Sequence, residues 1–206
     1  MDPIFKGALI GFSIAASVGP VGLLCIRRAL TDGRLVGFVS GLGAATADTL
    51  YGLVAAFSLT ALTDLLIEHR ATFQLLGGIF LLYLGIQTLR ARPPTSAAER
   101  SAPNLLAAYL STFALTLTSP VTILAFVGIF AGLGLGAATG TAFTTLRLIL
   151  GVFAGSAAWW LILSSSASLL GRKLQSGGLR TLNLISGTVI LAFGLWQLAQ
   201  LARSAK

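Results

Sequence analysis

"SVGPVG", Ser17 to Gly22, interrupts an apolar run that extends from Ile4 to Ile26. Pro20 has no backbone N–H and disfavours helical backbone at the residue before it, and the flanking glycines weaken a helix further. The expected result is a discontinuous helix whose second half starts at Pro20, a favourable first helical position. The first N–H groups of that half, at Val21 to Leu23, lack helical acceptors. With the positive end of the helix dipole behind them, they attract a carboxylate. The construction recurs at "TSPVT", Thr118 to Thr122, where Ser119 and Thr122 add hydroxyls. Ser17, Gly19, Pro20, Gly22, Ser119, Pro120 and Thr122 are therefore candidate substrate-binding residues. Paired broken helices in repeated halves are a pointer to a transporter's site.

The surroundings of these breaks are those of a membrane protein. Of 206 residues, 55% are hydrophobic and 10% charged, with a mean hydropathy of +0.90. Soluble domains are about one quarter charged. The apolar residues fall into six runs long enough to cross a bilayer: Ile4–Ile26, Leu35–Leu62, Ala71–Leu89, Leu105–Leu133, Leu148–Leu170 and Leu182–Ala202. Only helices or closed barrels satisfy their backbone in lipid, and these runs are too long for barrel strands, so the fold class is all-α. The first run reads as a retained span rather than a cleaved leader. Only Lys6 precedes its core, and the apolar stretch continues past the small residues Ala15-Ala16-Ser17.

The formal charge is +8, carried in short joints between apolar runs rather than on one exposed face. That placement serves topology and argues against nucleic-acid binding. Cys25 is the single cysteine and His69 the single histidine, so neither a disulfide nor the usual transition-metal site can be assembled from them. No cofactor is expected.

The chain divides into halves, 1–90 and 105–206, joined by the polar, proline-containing segment 91–104. "FSIAASVGPVGLL", Phe12 to Leu24, lies over "STFALTLTSPVTILAF", Ser111 to Phe126, with Pro20 matching Pro120. "QLLGGIFLLYLG", Gln74 to Gly85, lies over "NLISGTVILAFG", Asn183 to Gly194, matching Gly78 with Gly187 and Gly85 with Gly194. Three helices is an odd number, so the second half must enter the membrane inverted. Loop charges agree. Arg27, Arg28 and Arg34 follow helix 1, whereas no basic residue lies between Gly134 and Thr145 after helix 4. One side collects Arg27, Arg28, Arg34, Arg90, Arg92, Arg100, Arg172, Lys173 and Arg180. The other has Lys6, Arg70, Arg147, Arg203 and Lys206. The richer side is expected in the cytoplasm, leaving both termini outside.

Asp48 is the one acid well inside a span. An ionised carboxylate there costs on the order of 3 kcal/mol, so it must face a partner or a watery cavity. It reads as the contact for a substrate ammonium or as a protonatable coupling group. The structural alternative is a hydrogen bond across helices, to a hydroxyl or to Tyr51 one turn on. Gly41, Gly43, Ala44, Ala45 and Ala47 read as a close-packing face. Trp159 and Trp160 read as pathway lining or core. Gln74 and Asn183 read as interhelical hydrogen-bonding groups, and His69 as a solvated loop residue.

Gly11 to Gly52 resembles the N-terminal signature of the LysE/RhtB family of amino-acid exporters. Gly19-Pro20, Ala29-Leu30, Gly33-Arg34, Gly37, Asp48 and Tyr51 supply its features, and "TSPVTILAF" resembles the family's second-half motif. Ser119 stands where that motif has Asn, and Val18 where the first motif often has Pro. The resemblance implies proton-driven secondary export of amino acids from a bacterial cytoplasm across the inner membrane, often by a homodimer. It implies no enzymatic activity, and the chain lacks the second cysteine or second buried acid that a membrane-embedded oxidoreductase or aspartyl protease needs. Basic substrates would ask for a second acid, so neutral amino acids are favoured. An exporter of a cation or another small solute, or a non-transporting membrane subunit, are the competing readings.

Overall fold

The first helix breaks where Gly19 and Pro20 stand. In a computed structural model, which describes residues 2–16, 19–56, 68–90, 104–119, 122, 125–126, 141–171 and 176–204, α1 (Pro3–Ala15) stops before the break and α2 (Pro20–Thr31) starts after it. Their axes are bent by 83°. α1 starts at Asp2, whose carboxylate accepts the Ile4 N–H at 2.8 Å, with Pro3 in the first turn. α2 starts at Gly19, in extended backbone, with Pro20 first in the helix. A turn at Gly33, whose φ of 102° favours glycine, leads into α3 (Arg34–Ala56).

Next come α4 (Arg70–Arg90), α5 (Leu105–Leu117), α6 (Ala142–Gly171) and α7 (Ser176–Ser204). The described residues contain helices and no strand. α3, α4, α6 and α7 are each long and apolar enough to cross a membrane, and α1 with α2 qualifies as one bent span. α5 is a shorter apolar helix, capped by Asn104 Oδ1 accepting the Ala107 N–H at 2.9 Å. The chain is a multi-pass membrane protein.

Helix boundaries differ from expectation in three places: the first run, expected to end at Ile26, stays helical to Thr31. α6 starts at Ala142 rather than Leu148, because Thr141 Oγ1 accepts the Thr144 N–H (3.3 Å) and Arg147 finds an ion pair with Asp2 at 2.7 Å. α7 starts at Ser176 rather than Leu182. The second expected break, at Pro120, lies outside the described residues, as do residues 91–103 of the connector 91–104; α5 ends just before Pro120, at Leu117.

Glycines set how closely the helices approach. A Cβ on Gly11 would lie 2.1 Å from the Val152 carbonyl oxygen, and one on Gly155 would lie 2.0 Å from that of Ala8. Gly7 and Gly151 are as tight, so α1 and α6 meet backbone to backbone. Between α3 and α5, Gly43 faces the Tyr109 carbonyl, and Thr112 Oγ1 donates to the Ser40 carbonyl at 2.6 Å. In the α4–α7 pair, Gly78 faces Leu198 and Gly187 faces Leu89, while Gly85 faces Leu191 and Gly194 faces Leu82.

Candidate functional site

A cavity of about 240 Å³ opens at the break of the first helix. α2 presents Gly19, Pro20 and Gly22 to it, α3 presents Asp48, and the end of α5 presents Thr118 and Ser119, with Thr122 beyond. Six of the eight residues read from the sequence as a site thus line one space. The other two, Ser17 and Pro120, lie outside the described residues.

The backbone explains the polarity of the α2 end. Its first α-helical bond runs from the Leu23 N–H to the Gly19 carbonyl (3.1 Å), and no side chain caps it. Helix geometry therefore gives the N–H groups of Val21 and Gly22 no acceptor within the helix. Leu23, expected to share this role, is engaged. At the end of α5, Ser119 Oγ accepts the Thr122 N–H at 3.4 Å, the spacing between an N-cap and the third residue of a helix.

Asp48 is 3% exposed. Its Oδ2 accepts a hydrogen bond from Ser156 Oγ (2.8 Å), which in turn accepts one from Trp160 Nε1 (3.1 Å). The crossing partner is therefore a hydroxyl on α6. Tyr51, the other partner considered, donates instead to the Leu117 carbonyl at the end of α5. Among the described residues no cationic side chain forms an ion pair with Asp48.

Ser156 escaped the sequence reading. Nothing local separates it from Ser164, Ser165 and Ser166 on the same helix; only the packing of α6 on α3 turns it toward Asp48. The two tryptophans divide. Trp160 is buried and lines the cavity, whereas Trp159 packs edge-on against Phe12, with ring centroids 5.3 Å apart. Gln74 and Gln197 each donate a side-chain amide hydrogen to the other's backbone carbonyl, at 2.8 and 2.9 Å. His69 is exposed in a turn.

Arg27 and Arg28 depart from the reading of loop charges as topology alone. Arg27 Nε donates to Asn183 Oδ1 of α7 at 2.9 Å. Arg28 donates to Ser40 Oγ of α3 (2.9 Å) and, on α5, to the Ala108 carbonyl (3.0 Å) and Ser111 Oγ (2.8 Å). The planar guanidinium, with its several fixed donors, suits such three-way attachment. These bonds bring the end of α2 beside the starts of α5 and α7. Leu24, Leu84 and Ile190, each at most 5% exposed, pack in one cluster with Leu81 and Leu115 of the cavity lining.

Comparison with known proteins gives the context. The family model described as LysE type translocator matches residues 12–200. The chain is 32% identical over 202 residues to the "Putative amino acid efflux protein YcgF" of Bacillus subtilis (strain 168), covering 95% of each chain. It is 27% identical to the "Uncharacterized membrane protein YahN" of Escherichia coli (strain K12), covering 95% of this chain and 90% of the relative. No solved structure matches. A family match across nearly the whole chain, on a bundle of apolar helices, makes this protein a transporter rather than an enzyme: it belongs to the LysE type translocator family.

Proposed function

We propose that the protein is a secondary transporter that exports neutral amino acids from a bacterial cytoplasm across the inner membrane. The observation that carries this reading is the convergence, on one cavity, of an uncapped helix N-terminus and a buried carboxylate. The first is suited to a substrate carboxylate, the second to its ammonium. The name of the Bacillus subtilis relative points the same way. Ser119 and Thr122 add hydroxyls to the carboxylate end, and Asp48 also serves as the coupling group, taking up a proton when the ammonium leaves. The positive-inside bias puts the ends carrying Arg27, Arg28 and Arg180 in the cytoplasm and both termini outside.

The fold is read as six spans in two inverted repeats around the cavity, with transport by alternating access about it. Contacts within the α4–α7 pair support this. Gly78 meets Leu198 as Gly187 meets Leu89, and Gly85 meets Leu191 as Gly194 meets Leu82. The same sequence interval carries each partner of one contact onto a partner of its counterpart, as a two-fold axis between the halves requires.

The test is efflux from proteoliposomes loaded with a mixture of labelled amino acids, with and without an inward proton gradient. Release of a neutral subset, accelerated by the gradient, is expected. No release from protein shown to be folded would return the question to ions, other solutes or a non-transporting subunit.

A further inference from the structure

Charge, lining and volume of the cavity together narrow the substrate. Asp48 is the one ionisable side chain among the described residues that line it. Leu81 of α4, Leu115 of α5, and Phe193 and Trp196 of α7 form an apolar wall. Leu81 and Leu115 are 3% and 4% exposed, whereas Phe193 and Trp196 are 37% and 53% exposed, their rings meeting edge to face with centroids 6.5 Å apart.

We infer that the cavity selects neutral amino acids with a mid-sized apolar side chain, of the leucine, methionine and phenylalanine class, and that Leu81, Leu115, Phe193 and Trp196 are the residues that read that side chain. The inference rests on the transport reading above and extends it. With the substrate carboxylate at the α2 terminus and the ammonium at Asp48, the side chain is left to the apolar wall. A lysine or arginine substrate brings a second cation to a site with one acid, and burying that charge unpaired is costly. A glutamate substrate brings a second carboxylate to a cavity whose described lining includes no basic side chain.

Volume supplies a scale rather than a limit, because the cavity is open. An apolar cavity of roughly 150 Å³ accepts benzene, so about 240 Å³ corresponds to on the order of ten non-hydrogen atoms. Leucine, methionine and phenylalanine have about nine to twelve. Lysine, arginine and glutamate are of similar size, so it is charge that separates them from the favoured class. Glycine and alanine leave part of the wall without contact.

Wild-type protein in liposomes loaded with equal amounts of labelled leucine, methionine, phenylalanine, alanine, lysine and glutamate tests this directly. Leucine, methionine and phenylalanine are expected to leave about tenfold or more faster than lysine and glutamate. Preferential release of lysine or glutamate overturns the substrate class while leaving amino-acid transport standing. Release of none of the six, from folded protein, overturns the transport reading as well. The wall is tested by Trp196→Ala, with Phe193→Leu as the milder variant should the first fail to fold. Each is expected to lower the ratio of phenylalanine to alanine efflux, by roughly fivefold for Trp196→Ala. An unchanged ratio in folded protein removes these residues from the wall.

Discussion

α1 and α2 are the two halves of one broken helix, yet they are anchored by different means. α1 is set against α6 through Gly7, Gly11, Gly151 and Gly155, with no room for so much as a methyl group between the backbones. Gly19 and Gly22, at the start of α2, have nothing within 4 Å of where a Cβ would sit. α2 is tied down at its far end, by the hydrogen bonds of Arg27 and Arg28 to α3, α5 and α7. On this account α1 belongs to the fixed scaffold, because close-packed interfaces do not deform continuously. α2 is packed on α3 farther along, where a Cβ on Gly37 would lie 2.9 Å from the Ala29 Cα, but its N-terminal end meets no such seam.

The largest expected effect breaks the scaffold side of this comparison. Gly11→Val forces a side chain onto the Val152 carbonyl, where only backbone can give way. A destabilisation of about 3 kcal/mol or more is expected, visible as loss of monodisperse protein and a lowered Tm. A wild-type Tm would mean that the seam is not tight.

Arg28→Ala removes three hydrogen bonds from the tethered end and should cost about 2 kcal/mol. It also makes a sharper forecast. Cys25, fully enclosed on α2, should react with a thiol reagent several times faster as α2 loosens. An unchanged labelling rate would show that the tether does not hold α2.

Ser156→Ala leaves Asp48 Oδ2 and the Trp160 indole N–H without the hydroxyl they share. The cost should be about 1–2 kcal/mol, with a rise in the substrate concentration needed for half-maximal efflux. Full retention of substrate affinity would make this hydrogen bond incidental. The smallest effect on stability is expected at Gly22→Ala, within about 1 kcal/mol and toward greater stability, since alanine favours a helix. Efflux should nevertheless fall, because Gly22 lines the cavity. A fold loss comparable to that of Gly11→Val would erase the distinction between the two halves.

Much of this arrangement is legible in the sequence. The break follows from Gly19-Pro20 because the missing N–H and the excluded backbone region are properties of those residues alone. Asp48 stands out because a carboxylate in an apolar run has no cheap alternative to a partner or a cavity. Gly41 and Gly43 read as a packing face, and they meet Trp160 and Tyr109. What could not be read depends on which helices become neighbours. Gly7 and Gly11 look like any small residues until α6 lies against them. Ser156 is one serine among several until α3 faces it. Arg27 and Arg28 carry the charge that topology demands, and their hydrogen bonds to neutral groups far along the chain leave no trace in sequence spacing.

The central claim is that Asp48 and the free end of α2 bind one substrate between them. Its most direct test is efflux of labelled leucine from proteoliposomes containing Asp48→Asn, measured against wild type with and without an inward proton gradient. Loss of the ammonium's charged partner predicts a fall of on the order of tenfold or more in protein of unchanged Tm, and residual efflux that no longer responds to the gradient. Wild-type efflux with the same gradient dependence would contradict the account.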